Sequence, residues 1–521
     1  MEASTTLLAT PIEATGEPQL HARSPRYSPR YSLDRLEYVT YALALALSVC
    51  VWFIAIRAPL WLDETISFFL IKGGFAEIMS RQGWPDVPVY SYVLWLWTKV
   101  MGTGEITLRI SSVLIMLGAA YLLYRSAREL FDRNVALIAA VVFCLHPIVI
   151  YAAIDVRPYA CAAVAINSSI LALVRMRHSN SKWLAAFFGV SAASIAYFQF
   201  LFVVILPALA ICFFWLKVGR RKTQWGQIGV ALIAFTLAFL PVIPGLEYLF
   251  HTSATHVWAP DPRLVDLGST LSLRWLGFIL IGTVLLAAVT RRLDLRSRFE
   301  LWPILLCASL ALIPILTLYG VSAGTSIRIF VFRYRLIAVP GIVLCWALIV
   351  SRIHSRALRL LFCVAIVATT AYQYLSRPDF RLHGYTWKYG IEVAEKSASA
   401  DNATVLICSD LPEADYMALP VGDAVKDSVL FAPLTYYKLT VPVVALPRSL
   451  NDEATRIGSQ FLKGATQRHQ RFLALAFTSS YGTLDWIAKN AAETYDVRDL
   501  GIFDEIKVME FLPRNQAGAS R

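Results

Sequence analysis

Charge is scarce in this sequence. Asp, Glu, Lys and Arg make up 16% of its 521 residues, where soluble domains carry about 25%. Hydrophobic residues reach 57% and the mean hydropathy is +0.56, which excludes a soluble domain and indicates a polytopic membrane protein. CxxC pairs and Cys/His clusters are missing. Seven of the eight cysteines lie inside apolar runs and only Cys408 falls in a polar region, so neither a disulfide framework nor a zinc site is supported. The apolar runs are nearly free of charge at mid-length and no internal repeat is visible, features that argue against a transporter. The net charge of +12 does not indicate nucleic acid, because the Lys and Arg residues cluster in short linkers, where they set orientation.

Apolar runs long enough to cross a bilayer, about 17–25 residues, fall near 38–56, 108–124, 135–154, 158–174, 183–198, 200–216, 225–244, 270–290, 300–320, 334–351 and 357–375. This pattern predicts about eleven spans. Residues 1–35 are rich in Ser, Pro, Thr and Arg and read as a disordered basic tail; the first run reads as an uncleaved span. Basic clusters alternate along the linkers: Arg125, Arg128 and Arg133; Arg175, Arg177 and Lys182; Lys217 and Arg220 to Lys222; Arg291 to Arg298; Arg352, Arg356 and Arg359. Those linkers and the tail are predicted to be cytoplasmic. The opposite face then receives Asp63-Glu64, Asp155-Val156-Arg157, the loops 245–269 and 321–333, and everything after the last span.

Residues 89–101, VYSYVLWLWTKVM, are apolar and aromatic but too short to span. They predict a helix lying in the outer interface, with a second at 65–81 broken at Gly73-Gly74. From about Arg377 the pattern changes to short apolar blocks, Thr404–Cys408, Leu439–Ala445, Phe472–Phe477 and Ile506–Phe511, alternating with helical stretches at 386–398 and 483–494. The chain thus reads as a tail (1–35), a membrane module (36–376) and an outer α/β domain (377–521).

The outer face repeats one theme, acid and base at the mouth of a span. Asp63 and Glu64 follow the first run; Asp86 lies in WPDVP; Glu105 and Arg109 lie in GTGEITLRI; Asp155, Arg157 and Tyr159 lie in IDVRPYA; Arg328, Arg333, Tyr334 and Arg335 precede the tenth run. Each Arg alone can be a snorkelling anchor, and a carboxylate pair just outside a span can be merely solvated. Together they suit one reaction. A sugar on a polyprenyl phosphate presents its phosphate at headgroup depth, where Arg binds it through charge-assisted bidentate hydrogen bonds. The acceptor hydroxyl needs a general base. The departing group is already a phosphate, so one carboxylate and a cationic clamp suffice.

The order WLDE, then D-x-P-x-Y (Asp86, Pro88, Tyr90), G-x-x-x-L-R-I-S-S (Gly104 to Ser112) and IDVRPYA resembles the GT-C glycosyltransferases. It is most similar to the branch of protein O-mannosyltransferases, aminoarabinose transferases and lipopolysaccharide-core galacturonosyltransferases. The motif-bearing part covers about residues 38–200. Where that family often shows E-x-R-P-Y this chain has Asp155, and in place of a doubled proline it has Asp86-Val87-Pro88. The resemblance implies a polyprenyl-phosphate-sugar donor, inversion at the anomeric carbon, and Asp63 as catalytic base.

Glu64 is expected to bind acceptor or to orient Asp63. Asp155 is expected to touch sugar or acceptor, or to pair with Arg157, which would otherwise hold the donor phosphate. Arg109, Arg328, Arg333 and Arg335 are the further phosphate candidates, and Asp86, Tyr90 and Tyr159 complete the expected substrate contacts. The acceptor would be a lipid, a glycan or a protein hydroxyl, and the partners include membrane lipids but no nucleic acid. No His supports a metal, so no cofactor is expected. A bacterial inner membrane is the expected location, with the site and the outer domain extracytoplasmic. The competing readings are a lipid-linked-sugar flippase and a non-catalytic envelope assembly protein.

Overall fold

A computed structural model describes residues 35–82, 89–218, 224–251, 260–272, 275–294, 300–376 and 385–514. Asp86, the tail and the predicted domain junction at 377 lie outside them. In the membrane module, α1 (Arg35–Trp52) is followed by three short helices, α2 (Leu62–Ile71), α3 (Phe75–Gln82) and α4 (Val89–Met101). The predicted break at Gly73-Gly74 separates α2 from α3. At 13 residues, α4 is too short to span, as its length predicted.

Then come α5 (Glu105–Leu130), α6 (Arg133–Leu145), α7 (Pro147–Ala153), α8 (Tyr159–Arg175), α9 (Lys182–Phe198), α10 (Leu206–Val218), α11 (Trp225–Phe239), α12 (Ile243–His251), α13 (Leu264–Ser272), α14 (Trp275–Val289), α15 (Leu301–Gly324), α16 (Val339–Val350) and α17 (Arg356–Ser376). Among the described residues six helices, or up to eight counting two bent pairs, are long and apolar enough to cross a membrane; α1, α8 and α9 are apolar but shorter. This is an integral membrane protein, mostly helical.

Pro147 explains one bent pair. It has no N–H to continue α6, so the axis turns by 67° into α7, and His146 Nδ1 accepts from Ile148 N at 3.1 Å to cap the new helix. The turn delivers Asp155 and Arg157 beyond the helix ends. Two glycines permit close helix crossings. A Cβ at Gly189 would lie 2.3 Å from the Ala231 carbonyl oxygen, and one at Gly341 would lie 2.3 Å from Ala311 N, the small-residue contact expected of helices packed in lipid.

Several of the Arg-bearing linkers meet at one end of the bundle. There Asn134 donates to Glu37 at 2.8 Å, Arg356 approaches Glu37 at 3.8 Å and Arg359 pairs with Asp132 at 3.0 Å. At the other end the motif residues gather.

The C-terminal domain holds α18 (Lys388–Ala398), β1 (Thr404–Cys408), α19 (Ala432–Tyr436), β2 (Val443–Leu446), α20 (Asp452–Gln467), β3 (Phe472–Phe477), α21 (Tyr481–Ala491), β4 (Tyr495–Phe503) and β5 (Ile506–Pro513). The sheet order is β2-β1-β3-β5-β4, with β2, β1 and β3 parallel and β5 and β4 antiparallel. One face packs on α18 and on apolar groups of the first outer loop (Leu60, Ile71, Leu94); the other packs on α20 and α21. The sequence reading placed β1, β3 and β5 well and set β2 a few residues early. It missed α20, whose apolar stripe is thin, and β4, an edge strand with Asp496, Arg498 and Asp499 along it.

Candidate active site

The site begins with the strap Ile56–Trp61 between α1 and α2. Glu64, three residues into α2, turns back so that its Oε2 accepts from Trp61 N at 3.2 Å, half of a capping box. Its other oxygen accepts from Val156 N at 3.0 Å. The first carboxylate-bearing loop is thereby bolted to the second.

Arg109, in the first turns of α5, completes the bolt. Its Nε and Nη2 reach Glu64 at 3.0 and 2.5 Å. Nη1 donates to the carbonyls of Ile56 and Ala58, and Nη2 also donates to that of Pro59 at 2.9 Å. A guanidinium has five N–H groups, and all five are used here. Both side chains are 0% exposed. Arg109 therefore departs from the expected phosphate contact: no donor is left to give. Glu64 is likewise fully engaged, by Arg109, Trp61 N and Val156 N.

Asp63, one residue earlier, faces the other way. Its Oδ2 lies 2.9 Å from Arg333 Nη1 and 4.0 Å from Arg157 Nε, and Arg157 Nη1 donates to the Asp63 carbonyl at 3.4 Å. Arg333 also covers the Trp61 and Tyr334 rings, at 5.6 and 5.5 Å from their centroids. Asp63 and Arg333 keep 16% exposure each, so the only carboxylate of the pair open to solvent carries two guanidiniums. Burial opposes the charge on Arg157, but Asp63, Tyr159 and Asp155 together outweigh it and its pKa is raised.

Asp155 lies beneath. Its Oδ1 accepts from Trp61 Nε1 at 3.1 Å, its carbonyl accepts from Ser112 Oγ at 2.7 Å, and its Oδ2 is buried with no hydrogen-bond partner. Burial pushes its carboxyl well above the usual range and Glu64 adds to this, while Arg157 and the Trp61 bond pull back. A protonated Asp155 can donate a hydrogen bond. The Tyr90 hydroxyl is also buried without a partner, and Asp155 and Arg157 act on it electrostatically. Tyr159, at the start of α8, is 1% exposed and lies close enough to Arg333 and Arg157 to feel both charges.

Two expected cations are engaged elsewhere. Arg328 donates to the carbonyls of Ser322 and Thr325 at the end of α15 and meets Asp261 at 2.6 Å. Arg335 donates to Thr270 Oγ1 at 3.1 Å and stacks on Phe330 at 4.2 Å. The structure thus brings together Asp63, Glu64, Asp155, Arg109, Arg157, Arg333, Tyr90 and Tyr159, and gives Arg328 and Arg335 partners on α13, α15 and their flanking loops.

Sequence reasoning missed the outer domain's share. Thr386 forms a bridge pair with Trp61 and donates from Oγ1 to the Leu60 carbonyl at 3.1 Å. Tyr437 Oη accepts from Leu60 N at 2.6 Å and donates to Glu105 at 2.9 Å; Lys388 Nζ lies 3.4 Å from the same carboxylate. Contacts 377 residues apart leave no periodic signal. Substituting Arg333→Gln, which keeps a donor but removes the charge, is expected to weaken polyprenyl-phosphate binding by roughly 10–100-fold, the loss of a charge-assisted contact. Titration of the lipid phosphate in nanodiscs reads it, and unaltered affinity would remove Arg333 from the phosphate site.

Residues 85–248 match the family described as dolichyl-phosphate-mannose-protein mannosyltransferase. Comparison with curated proteins gives no match. Among solved structures, ArnT from Cupriavidus metallidurans in the apo state aligns at TM-score 0.55 and 13% identity, over 91% of this chain and 98% of its own. The same protein bound to undecaprenyl phosphate aligns at TM-score 0.54 and 13% identity, over 92% and 98%. The archaeal oligosaccharyltransferase AglB from Archaeoglobus fulgidus, in complex with an inhibitory peptide and a dolichol-phosphate, aligns at TM-score 0.49 and 13% identity, over 92% and 74%. The fold shared with ArnT agrees with the resemblance read from the motifs, as does the family match, which takes in Asp86 to Tyr90, Gly104 to Ser112 and IDVRPYA but begins after WLDE.

Proposed function

We propose that this membrane protein of GT-C type is a glycosyltransferase that moves a sugar from a polyprenyl phosphate to a hydroxyl of a lipid, glycan or protein. The observation that carries the reading is Asp63, an accessible carboxylate held between Arg333 and Arg157 at the mouth of the helices. In the resting site the guanidiniums pair with Asp63. A donor phosphate draws them towards itself, and Asp63 is left to take the proton of the acceptor hydroxyl. The acceptor oxygen bonds to the anomeric carbon as the bond from that carbon to the phosphate oxygen breaks. The electron pair leaves on the polyprenyl phosphate, which the guanidiniums stabilise. Attack opposite the leaving group inverts the anomeric carbon.

Asp155, protonated, and Tyr90 donate hydrogen bonds to sugar hydroxyls, and Tyr159 shapes the pocket floor. Arg328 and Arg335 favour the anionic donor electrostatically. Phosphate charge is met by Arg, and the reaction needs no metal. Counting the six long helices, each bent pair and the three shorter apolar helices as one span apiece gives the eleven spans we propose, with the site and the outer domain on the extracytoplasmic side of a bacterial inner membrane.

The test is transfer of radiolabelled sugar from undecaprenyl-phosphate donors in proteoliposomes carrying cell-envelope lipids. Labelled product is expected, at a rate unaltered by EDTA. Movement of the donor across the bilayer without transfer would overturn the enzyme reading in favour of a flippase.

A further inference from the structure

The parallel strands of the outer domain end in register, Cys408 opposite Leu446 and Ile407 opposite Leu475. Two residues beyond each end stands a polar side chain: Asp410 after β1, Arg448 after β2 and Ser479 after β3. Because β1 lies between the other two, the contact of Arg448 Nε with Ser479 Oγ at 3.2 Å arches over the end of β1 and encloses Asp410. The chain leaves β1 towards α19 on one face of the sheet and leaves β3 towards α21 on the other. Neighbouring strands whose connections part in this way open a crevice at their carboxyl ends, the usual ligand site of open α/β sheets.

The crevice has an aromatic wall. Tyr385 stacks on Phe477 with centroids 3.8 Å apart and planes 27° from parallel, both rings half-buried, and the Tyr385 hydroxyl bonds to Asp410 Oδ2. Burial pushes the Asp410 carboxyl up to about 7; Arg448 and the Ser479 hydrogen bond work against this, and Asp63 and Glu505 add to it. The crevice lies close to the Asp63 site. The backbone explains how. Tyr385 is the neighbour of Thr386, the bridge partner of Trp61. The tight β4–β5 turn, with Asp504 and Glu505 both at positive φ, sits at the same end and ties Asp504 Oδ2 to Thr386 N at 2.8 Å.

A flat aromatic wall beside a carboxyl, a guanidinium and a hydroxyl suits a hydroxyl-rich, neutral ring: apolar faces lie on the rings and hydroxyls bond at the edge. We propose that the crevice formed by Asp410, Arg448, Ser479 and the Tyr385–Phe477 wall is a carbohydrate-binding subsite that presents an acceptor sugar hydroxyl to Asp63. The inference rests on the proposed function for its direction of transfer, and the bound sugar is the acceptor because the donor lipid must lie at the Arg333 side, towards the membrane.

Saturation-transfer NMR on the full-length protein in nanodiscs, with the methyl glycosides of mannose, galactose and arabinose as probes, tests it. At least one probe is expected to show transfer to its ring protons. The signal should fall about fivefold or more in Asp410→Leu and in Tyr385→Ala, the loss expected when a hydrogen bond or its supporting ring is removed. Undecaprenyl phosphate affinity in the same variants should be unchanged, which also reports that they fold. Arg448→Met, on a partly exposed side chain, gives the same readout where a buried variant does not fold. Absence of transfer from all three probes in the wild type overturns the proposal, as do signals unaffected by the variants. So does a Ser/Thr peptide that binds in their place and is lost in Asp410→Leu. The readout is binding, so a failure of Asp63 chemistry leaves it unmoved and the two readings fall separately.

Discussion

Replacing Asp63 with Asn is expected to lower sugar transfer by roughly 10²–10⁴-fold, the range set by removing a general base, while the protein still folds and still binds polyprenyl phosphate. The side chain is nearly isosteric, and nothing in the buried bolt beneath it depends on Asp63: Glu64 makes the bonds to Arg109, Trp61 and Val156. Loss of the anionic competitor for Arg333 and Arg157 should leave lipid-phosphate affinity equal or higher. Single-turnover transfer in proteoliposomes beside a phosphate titration separates the two effects. Near-normal transfer by Asp63→Asn would remove it from the role of base. A parallel fall in transfer and in phosphate binding would show that it acts through the arginines instead.

Arg109→Ala should act on the other ledger, stability. Glu64 would be left charged and buried, a situation that costs about 3–5 kcal/mol, and the carbonyls of Ile56, Ala58 and Pro59 would lose their donors at once. Thermal unfolding in detergent is expected to begin well below that of the wild type, with activity lost through the fold rather than the chemistry. Pairing it with Glu64→Leu as Arg109→Met/Glu64→Leu removes both charges together and should recover much of the loss. A phosphate ligand would behave differently, losing donor affinity with the melting temperature unmoved, and that outcome would restore Arg109 to the substrate site.

Much of this architecture was legible because lipid imposes long apolar segments and because linker charge alternates. The break at Gly73-Gly74, the short helix at 89–101 and three of the strands follow from length and period alone. Asp63, Asp155, Arg157 and Arg333, each placed by the sequence at the mouth of a span, lie together although Arg333 is 270 residues from Asp63. Their division of labour was not legible. Adjacent carboxylates look alike in sequence, and only the start of α2 decides that Glu64 turns inward to Trp61 N while Asp63 faces the arginines. In sequence Arg109 reads as a snorkelling anchor or a phosphate contact; the three carbonyls that help to saturate it belong to a strap with no pattern of its own. The polar residues beyond β1, β2 and β3 are single Asp, Arg and Ser residues in loops, and they gain meaning only when parallel pairing aligns them.

The bridge between Trp61 and Thr386 has a consequence for how such proteins can be assembled from parts. Trp61 sits between Asp63 and Asp155; its backbone is bridged to Thr386, and that of Leu60 before it is held by Thr386 and Tyr437. The membrane module therefore does not own the geometry of its own proposed reaction centre. An outer domain grafted from elsewhere, however stable, would have to reproduce those backbone contacts before the helices beneath it could work, and the two units are bound to change together.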